Sequence, residues 1–96
     1  MKASEEINLR RSEIRRIAKS HGASNVRVFG SVARGDEHDD SDVDFLIDVT
    51  AEISPWFPVG LIQDLEALLG RRVEIVTERA LNSDLRERVL SEAIPV

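Results

Sequence analysis

Residues 30–48 read GSVARGDEHDDSDVDFLID, and they carry the most informative pattern in the chain. It begins where a short β-rich run, residues 26–29, ends, and it finishes inside a second apolar run, residues 43–47. Seven acids fall between positions 36 and 48 with no Lys or Arg among them. Such a run is usually a solvated loop. Because this one continues directly into a strand pattern, its last acids are candidates for a functional site.

Two of these acids share one face of the second strand. Side chains alternate along a strand, so Asp42 and Asp44 point to one side while Val43 and Phe45 point to the other. Like charges placed this way repel each other, and a cation between them would relieve the repulsion. Carboxylate oxygens suit Mg²⁺, which completes its shell with water and substrate phosphates. A solvated edge strand is the plain alternative.

A third acid interrupts another apolar run. Glu74 lies within residues 73–77, VEIVT. An unpaired carboxylate is costly to bury, so Glu74 either faces solvent or shares the cation. If its strand is a neighbour of the strand of Asp44, the three acids can hold two metal ions that clamp a phosphoryl displacement.

Gly30 and Ser31 supply features that suit a phosphate. Glycine allows close approach to the backbone, and exposed N–H groups with the Ser31 hydroxyl can bind phosphate oxygens. Arg34 lies one helical turn later and can reach the same phosphates, or it can form a surface salt bridge. Alone, Gly30 and Ser31 also fit a plain turn. Together with the acids, in this order, they favour a nucleoside triphosphate site.

Hydrophobic periodicity predicts seven elements around this stretch. The predicted class is α/β (α+β), a small three-stranded mixed sheet packed by helices. The order α-β-α-β-α-β-α comprises a helix over 4–20, a strand over 26–29, a short helix over 31–34, a strand over 43–47, a helix from Ser54 and Pro55 to Gly70, a strand over 73–77, and a helix that begins at 82–84, with Leu85, Val89 and Ala93 on one face, and stops at Pro95.

Composition excludes several classes of protein. The 96 residues suffice for one domain, 1–96, and 42% of them are hydrophobic. The net charge of −5 argues against broad nucleic-acid binding, which needs a basic face. No apolar run approaches the roughly 20 residues of a membrane span. The chain has no cysteine, which fits a reducing compartment, so we expect a cytoplasmic protein.

The combined motifs resemble a known family. The pattern Gly-Ser, Ala-Arg-Gly and Ser-Asp-x-Asp, followed by apolar residues, is similar to the signature of the minimal nucleotidyltransferases, the MNT group of the polymerase-β-like superfamily. The later LLGRRVEIVT looks like the segment that carries the family's third acid. The resemblance implies the nucleotidyltransferase fold, with Asp42, Asp44 and Glu74 as catalytic and metal-binding residues. It also gives Gly30 and Ser31, joined by Arg34, the nucleotide-binding role.

The resemblance also implies an activity and a partner. Members of this size are typically antitoxins paired with a HEPN-type toxin, and active ones use Mg²⁺ and ATP to transfer AMP to a tyrosine of that toxin. This chain contains no tyrosine, so a tyrosine acceptor must belong to another protein. It departs from the family in one respect, because the third acid is more usually Asp than Glu. The alternative is an antitoxin of the same fold that neutralises its toxin by binding alone.

An apolar cluster around residue 56 offers a surface for such a partner. Trp56 and Phe57 are adjacent, and both cannot easily enter a small core. An exposed aromatic side chain there would suit an interface with another protein. A small-molecule acceptor is disfavoured, since the length leaves no residues for a substrate domain.

Overall fold

The structure is a computed structural model that describes residues 2–38, 41–49, 53 and 55–96. Its helices and strands confirm the predicted α/β (α+β) class. They follow one another in the order α1 (Ala3–Leu9), α2 (Arg11–Ser20), β1 (Ala23–Phe29), α3 (Ser31–Arg34), β2 (Val43–Val49), α4 (Val59–Leu69), β3 (Val73–Thr77), the 3-10 turn η1 (Glu78–Ala80), α5 (Ser83–Glu92) and β4 (Ile94–Pro95).

The strands form one mixed sheet in the order β3-β2-β1-β4. Strands β2 and β3 are parallel, whereas β1 is antiparallel to both β2 and β4. The prediction of three strands is therefore wrong by one. Strand β4 is two residues long and contains Pro95, which gives no strand pattern. Proline is tolerated there because an edge strand needs no ladder bond on its outer side, and the next residue, Val96, donates its N–H to the Val26 carbonyl at 2.9 Å.

The core lies on the face of the sheet opposite the acids of β2. Val43, Phe45 and Ile47 are at most 1% exposed, as their alternation with Asp44 predicts. Helices α2 and α4 cover this face with the buried side chains of Ile14 and Leu61. In the part of the chain that the structure describes, no helix is both long and apolar enough to cross a membrane.

The predicted helix over 4–20 is two helices. Arg10 separates α1 from α2 with φ −115° and ψ 22°, and its N–H is shared between the carbonyls of Glu6 and Ile7. Asn8, whose helix preference is low, lies two residues before the break. The apolar face was predicted correctly, because Ile7 and Ile14 are both buried.

Two other predictions of helix structure need correction. Helix α4 begins at Val59 rather than at Pro55, because residues 55–58 form a turn and Pro58 precedes the first helical residue, where its missing N–H has no cost. Ser54, the predicted cap, lies outside the described residues, as do Asp39 and Asp40 of the acidic loop. On α5, Val89 is buried as predicted, but Leu85 is 48% exposed.

Candidate active site

Three segments that are distant in sequence meet at one edge of the sheet, where β1 ends and where β2 and β3 begin. Asp44 of β2 is the antiparallel partner of Phe29 and the parallel partner of Glu74. Gly30 follows Phe29 directly, so the register places Gly30, Asp44 and Glu74 side by side across β1, β2 and β3. The sequence predicted that Glu74 could share a cation with Asp44 only if their strands were neighbours, and β2 and β3 are indeed paired.

Asp44 and Glu74 are in contact through their carboxyl groups. The pKa of Asp44 is raised from 3.8 to about 6, first by partial burial, then by a hydrogen bond and charge repulsion from Glu74, and also by the charge of Asp42. Arg34 acts in the opposite direction and lowers it. These effects decay with distance, so the side chains of Glu74, Asp42 and Arg34 all lie close to the Asp44 carboxyl group.

Gly30 is required at its position for a reason that the sequence did not show. Its φ of 74° and ψ of −151° are available almost only to glycine. A Cβ added there would collide with Oδ2 of Asp44. The bare backbone of Gly30 thus leaves room for the Asp44 carboxylate. Ser31 follows as the first residue of α3 and is half-buried.

An acid that sequence reasoning missed completes this edge of the sheet. Glu92, at the end of α5, accepts a hydrogen bond from the Gly30 N–H at 2.8 Å. Its two carboxylate oxygens also accept from Nη1 of Arg34 at 3.3 and 3.4 Å. An acid on a surface helix, 62 positions from Gly30, resembles an ordinary solvated residue. Only the strand β4, itself absent from the prediction, could have indicated that Glu92 lies here.

Arg34 is exposed and carries two ion pairs. Its Nε donates to Asp36 at 3.3 Å, and its Nη1 pairs with Glu92. Asp36, and after it Glu92, raise the pKa of Arg34. Of the two alternatives weighed for this residue, the salt bridge is therefore formed. Arg34 also lies near the acids, because its charge lowers the pKa of Asp44.

The donor set of Asp42, Asp44 and Glu74 fits Mg²⁺ by its chemistry. All donors are carboxylate oxygens, and the charges of Glu74 and Asp42 repel that of Asp44, which a cation would relieve. Within residues 2–38, 41–49, 53 and 55–96, no three or more His, Cys, Asp and Glu side chains form a ready-made metal cluster. The side chains would have to turn to bind one ion together.

Asp48 lies further along β2 than Asp44 and makes its contacts away from the candidate site. It accepts from Nη2 of Arg27 and from Nδ2 of Asn25, each at 2.9 Å. Arg27 also pairs with Glu78 at 3.4 Å. Through Arg27 these contacts link η1 to the sheet. They also give Asp48 a structural role, separate from that of the acids Asp42 and Asp44.

The two aromatic residues of the apolar cluster separate as predicted. Trp56 is 78% exposed, whereas Phe57 packs against the core. Val59, 51% exposed, and Ile53, 43% exposed, also carry apolar surface in this region. The exposed aromatic surface expected from the sequence is thus present.

Comparisons with known proteins agree with this geometry. The model of the nucleotidyltransferase domain family matches residues 11–96. The protein adenylyltransferase MntA of Thermococcus cleftensis is 41% identical over 75 residues, which cover 78% of this chain and 76% of that protein. A protein of Methanocaldococcus jannaschii assigned as a protein adenylyltransferase is 33% identical over 90 residues, 94% of this chain and 97% of that protein.

Solved structures share the fold. One assigned as a minimal nucleotidyltransferase has a TM-score of 0.85 and 46% identity, over 97% of this chain and 95% of that one. A toxin–antitoxin structure with AMP-PNP has a TM-score of 0.74 at 21% identity, over 88% of this chain and 69% of that one, and supports the fold alone. The family resemblance and the enzyme class predicted from the sequence are confirmed, and the chain belongs to the nucleotidyltransferase domain family.

Proposed function

We propose that this protein is a Mg²⁺-dependent protein adenylyltransferase that transfers AMP from ATP to a tyrosine of a partner protein, a HEPN-type toxin, and so acts as an antitoxin. The observation that carries the proposal is the contact of Asp44 with Glu74 beside Gly30, at the edge where β1, β2 and β3 meet. The name of the Thermococcus cleftensis relative, a protein adenylyltransferase, supports a protein as the acceptor. A cytoplasmic location is part of the proposal and rests on the cysteine-free composition.

Each candidate residue has a role in this proposal. Asp42, Asp44 and Glu74 would hold Mg²⁺, which when bound supplies charge neutralisation at the α-phosphate and a lowered pKa for the attacking hydroxyl. The Gly30 N–H and the Ser31 hydroxyl would donate to phosphate oxygens. Arg34 would neutralise the charge of the triphosphate and so favour departure of pyrophosphate.

The acceptor hydroxyl must come from the partner, because this chain contains no tyrosine. A partner docked over the acid edge of the sheet would bring its hydroxyl to the α-phosphate and supply the proximity that the transfer needs. The exposed apolar surface at Trp56 is the proposed contact for that partner. A single domain over residues 1–96 is part of the same proposal.

A non-catalytic antitoxin of the same fold is the second candidate. It is favoured by one observation, that no three of the described acids form a ready-made metal cluster. Glu74 would be the cause, since its side chain is one methylene longer than that of Asp and could displace the ion.

Mass spectrometry separates the two candidates. The protein encoded beside this gene is incubated with the chain, ATP and Mg²⁺, and its intact mass is measured. We expect the partner to gain one or more adenylate groups, and the variant with both Asp42→Ala and Asp44→Ala to give none. A partner that is neutralised but keeps its original mass would contradict the enzyme and support the binding-only antitoxin.

A further inference from the structure

The carboxylate of Glu92 occupies the donors that the proposed function assigns to a phosphate. Its oxygens accept from the Gly30 N–H at 2.8 Å and from the Arg34 guanidinium at 3.3 and 3.4 Å. The Glu92 side chain is only 18% exposed, and its contact with the Gly30 N–H is partly buried, whereas its contact with Arg34 is open to solvent. Carboxylate and phosphate oxygens compete for the same type of site, because both accept charge-assisted hydrogen bonds from backbone N–H groups and arginine.

The backbone fixes Glu92 in this place. Ile94, two residues later, pairs with Val28 across β1 and β4, and Val28 is two residues before Gly30. The sheet therefore holds the end of α5 next to Gly30, whatever the conformation of the Glu92 side chain. Rotation of that side chain alone would release the Gly30 N–H and Arg34, and no helix would have to move.

We propose that Glu92 is an internal competitor of the nucleotide, a carboxylate that the triphosphate of ATP must displace from Gly30 and Arg34. The inference rests on the proposed function. The competition is electrostatic as well as steric. After its displacement the Glu92 carboxylate would still lie near the bound triphosphate and repel it, at a place that already carries the acids Asp44 and Glu74. Glu92 is thereby a determinant of how tightly this site holds a triphosphate.

The test uses Glu92→Gln, which keeps an oxygen that can accept from Gly30 but removes the charge. Isothermal titration calorimetry with ATP and Mg²⁺, and separately with inorganic tripolyphosphate, measures affinity in the wild type, in this variant and in Glu87→Gln. Glu87 is an exposed acid on the same helix and serves as the matched control. We expect Glu92→Gln to bind both probes about five-fold more tightly, and Glu87→Gln to bind them as the wild type does.

Amide NMR follows the displacement directly in the wild type. The Gly30 amide resonance of Glu92→Gln should differ from that of the wild type. In the wild type, the same resonance should shift when ATP and Mg²⁺ are added. A Gly30 resonance that stays unchanged at saturating ATP would overturn the inference.

The outcomes also separate the inference from the proposed function. Unchanged or weaker binding by Glu92→Gln, with a wild type that binds ATP, overturns the competition, and weaker binding would make Glu92 a positioning residue for Arg34. Failure of both proteins to bind either ATP or tripolyphosphate overturns the proposed function together with the inference.

Discussion

Gly30 shows how one residue joins fold and function. Its positive φ and the nearby Asp44 carboxylate each exclude a side chain. We expect Gly30→Ala to lower the free energy of unfolding by about 3 kcal/mol, since it adds backbone strain and a steric clash. The matched control is Gly70→Ala, where φ is 66° but nothing lies within 4 Å of the added Cβ, and where the cost should be about 1 kcal/mol.

A double-mutant cycle isolates the clash from the strain. In an Asp44→Ala background, the cost of Gly30→Ala in urea denaturation should fall by about 1 kcal/mol or more, because the colliding carboxylate is gone. An equal cost in both backgrounds would mean that Gly30 is needed only for its backbone conformation.

Among the helices and strands, the pairing of β2 with β3 matters most for the site, because it brings Asp44 and Glu74 next to each other. Both strands could be predicted, because strand alternation is local in sequence, whereas Asp42, expected on the same strand face as Asp44, lies just before the first residue of β2. That β3 lies beside β2 could be stated only as a condition, since strand order depends on packing far along the chain. The strand β4 and the role of Glu92 could not be predicted, because two residues with a proline carry no periodicity.

The register places Asp44 beside Glu74, and the raised pKa of Asp44 predicts that the stability of the protein depends on pH. Asp44 has a pKa of about 6 in the folded protein and about 3.8 when unfolded. Between these values the folded state binds more protons, so this carboxyl's contribution to stability is present below pH 3.8 and is lost as pH rises through about 6. Without metal, Asp44→Asn should therefore gain stability relative to the wild type between pH 4 and 7.5, by about 1 kcal/mol, since solvent screens a part-exposed group.

Urea denaturation in EDTA at several pH values measures this difference. Glu87→Gln, which removes an exposed acid from α5, is the control, and its stability should differ from that of the wild type much less than that of Asp44→Asn does. A difference between Asp44→Asn and the wild type that is constant from pH 4 to 7.5 would argue against contact between Asp44 and Glu74.

At the scale of the whole molecule, the site is assembled from three strands, a short helix and the end of α5. The candidate residues of the site could be predicted from the sequence, because the two motifs occur in order and with characteristic spacing. It could not supply their contacts, which depend on a mixed sheet closed by a strand of two residues. We infer that this assembly is a nucleotide site whose acids act through a divalent metal.

Calorimetric titration of ATP in Mg²⁺ and in EDTA tests that claim most directly. We predict that the wild type binds ATP at least about ten-fold more tightly with Mg²⁺. Replacing Asp42→Asn and Asp44→Asn together should abolish this difference. The control with Asp64→Asn and Asp84→Asn removes the same charge from exposed helix positions and should keep it. ATP binding that is equal in Mg²⁺ and EDTA, and unaffected in the Asp42 and Asp44 variant, would contradict the account.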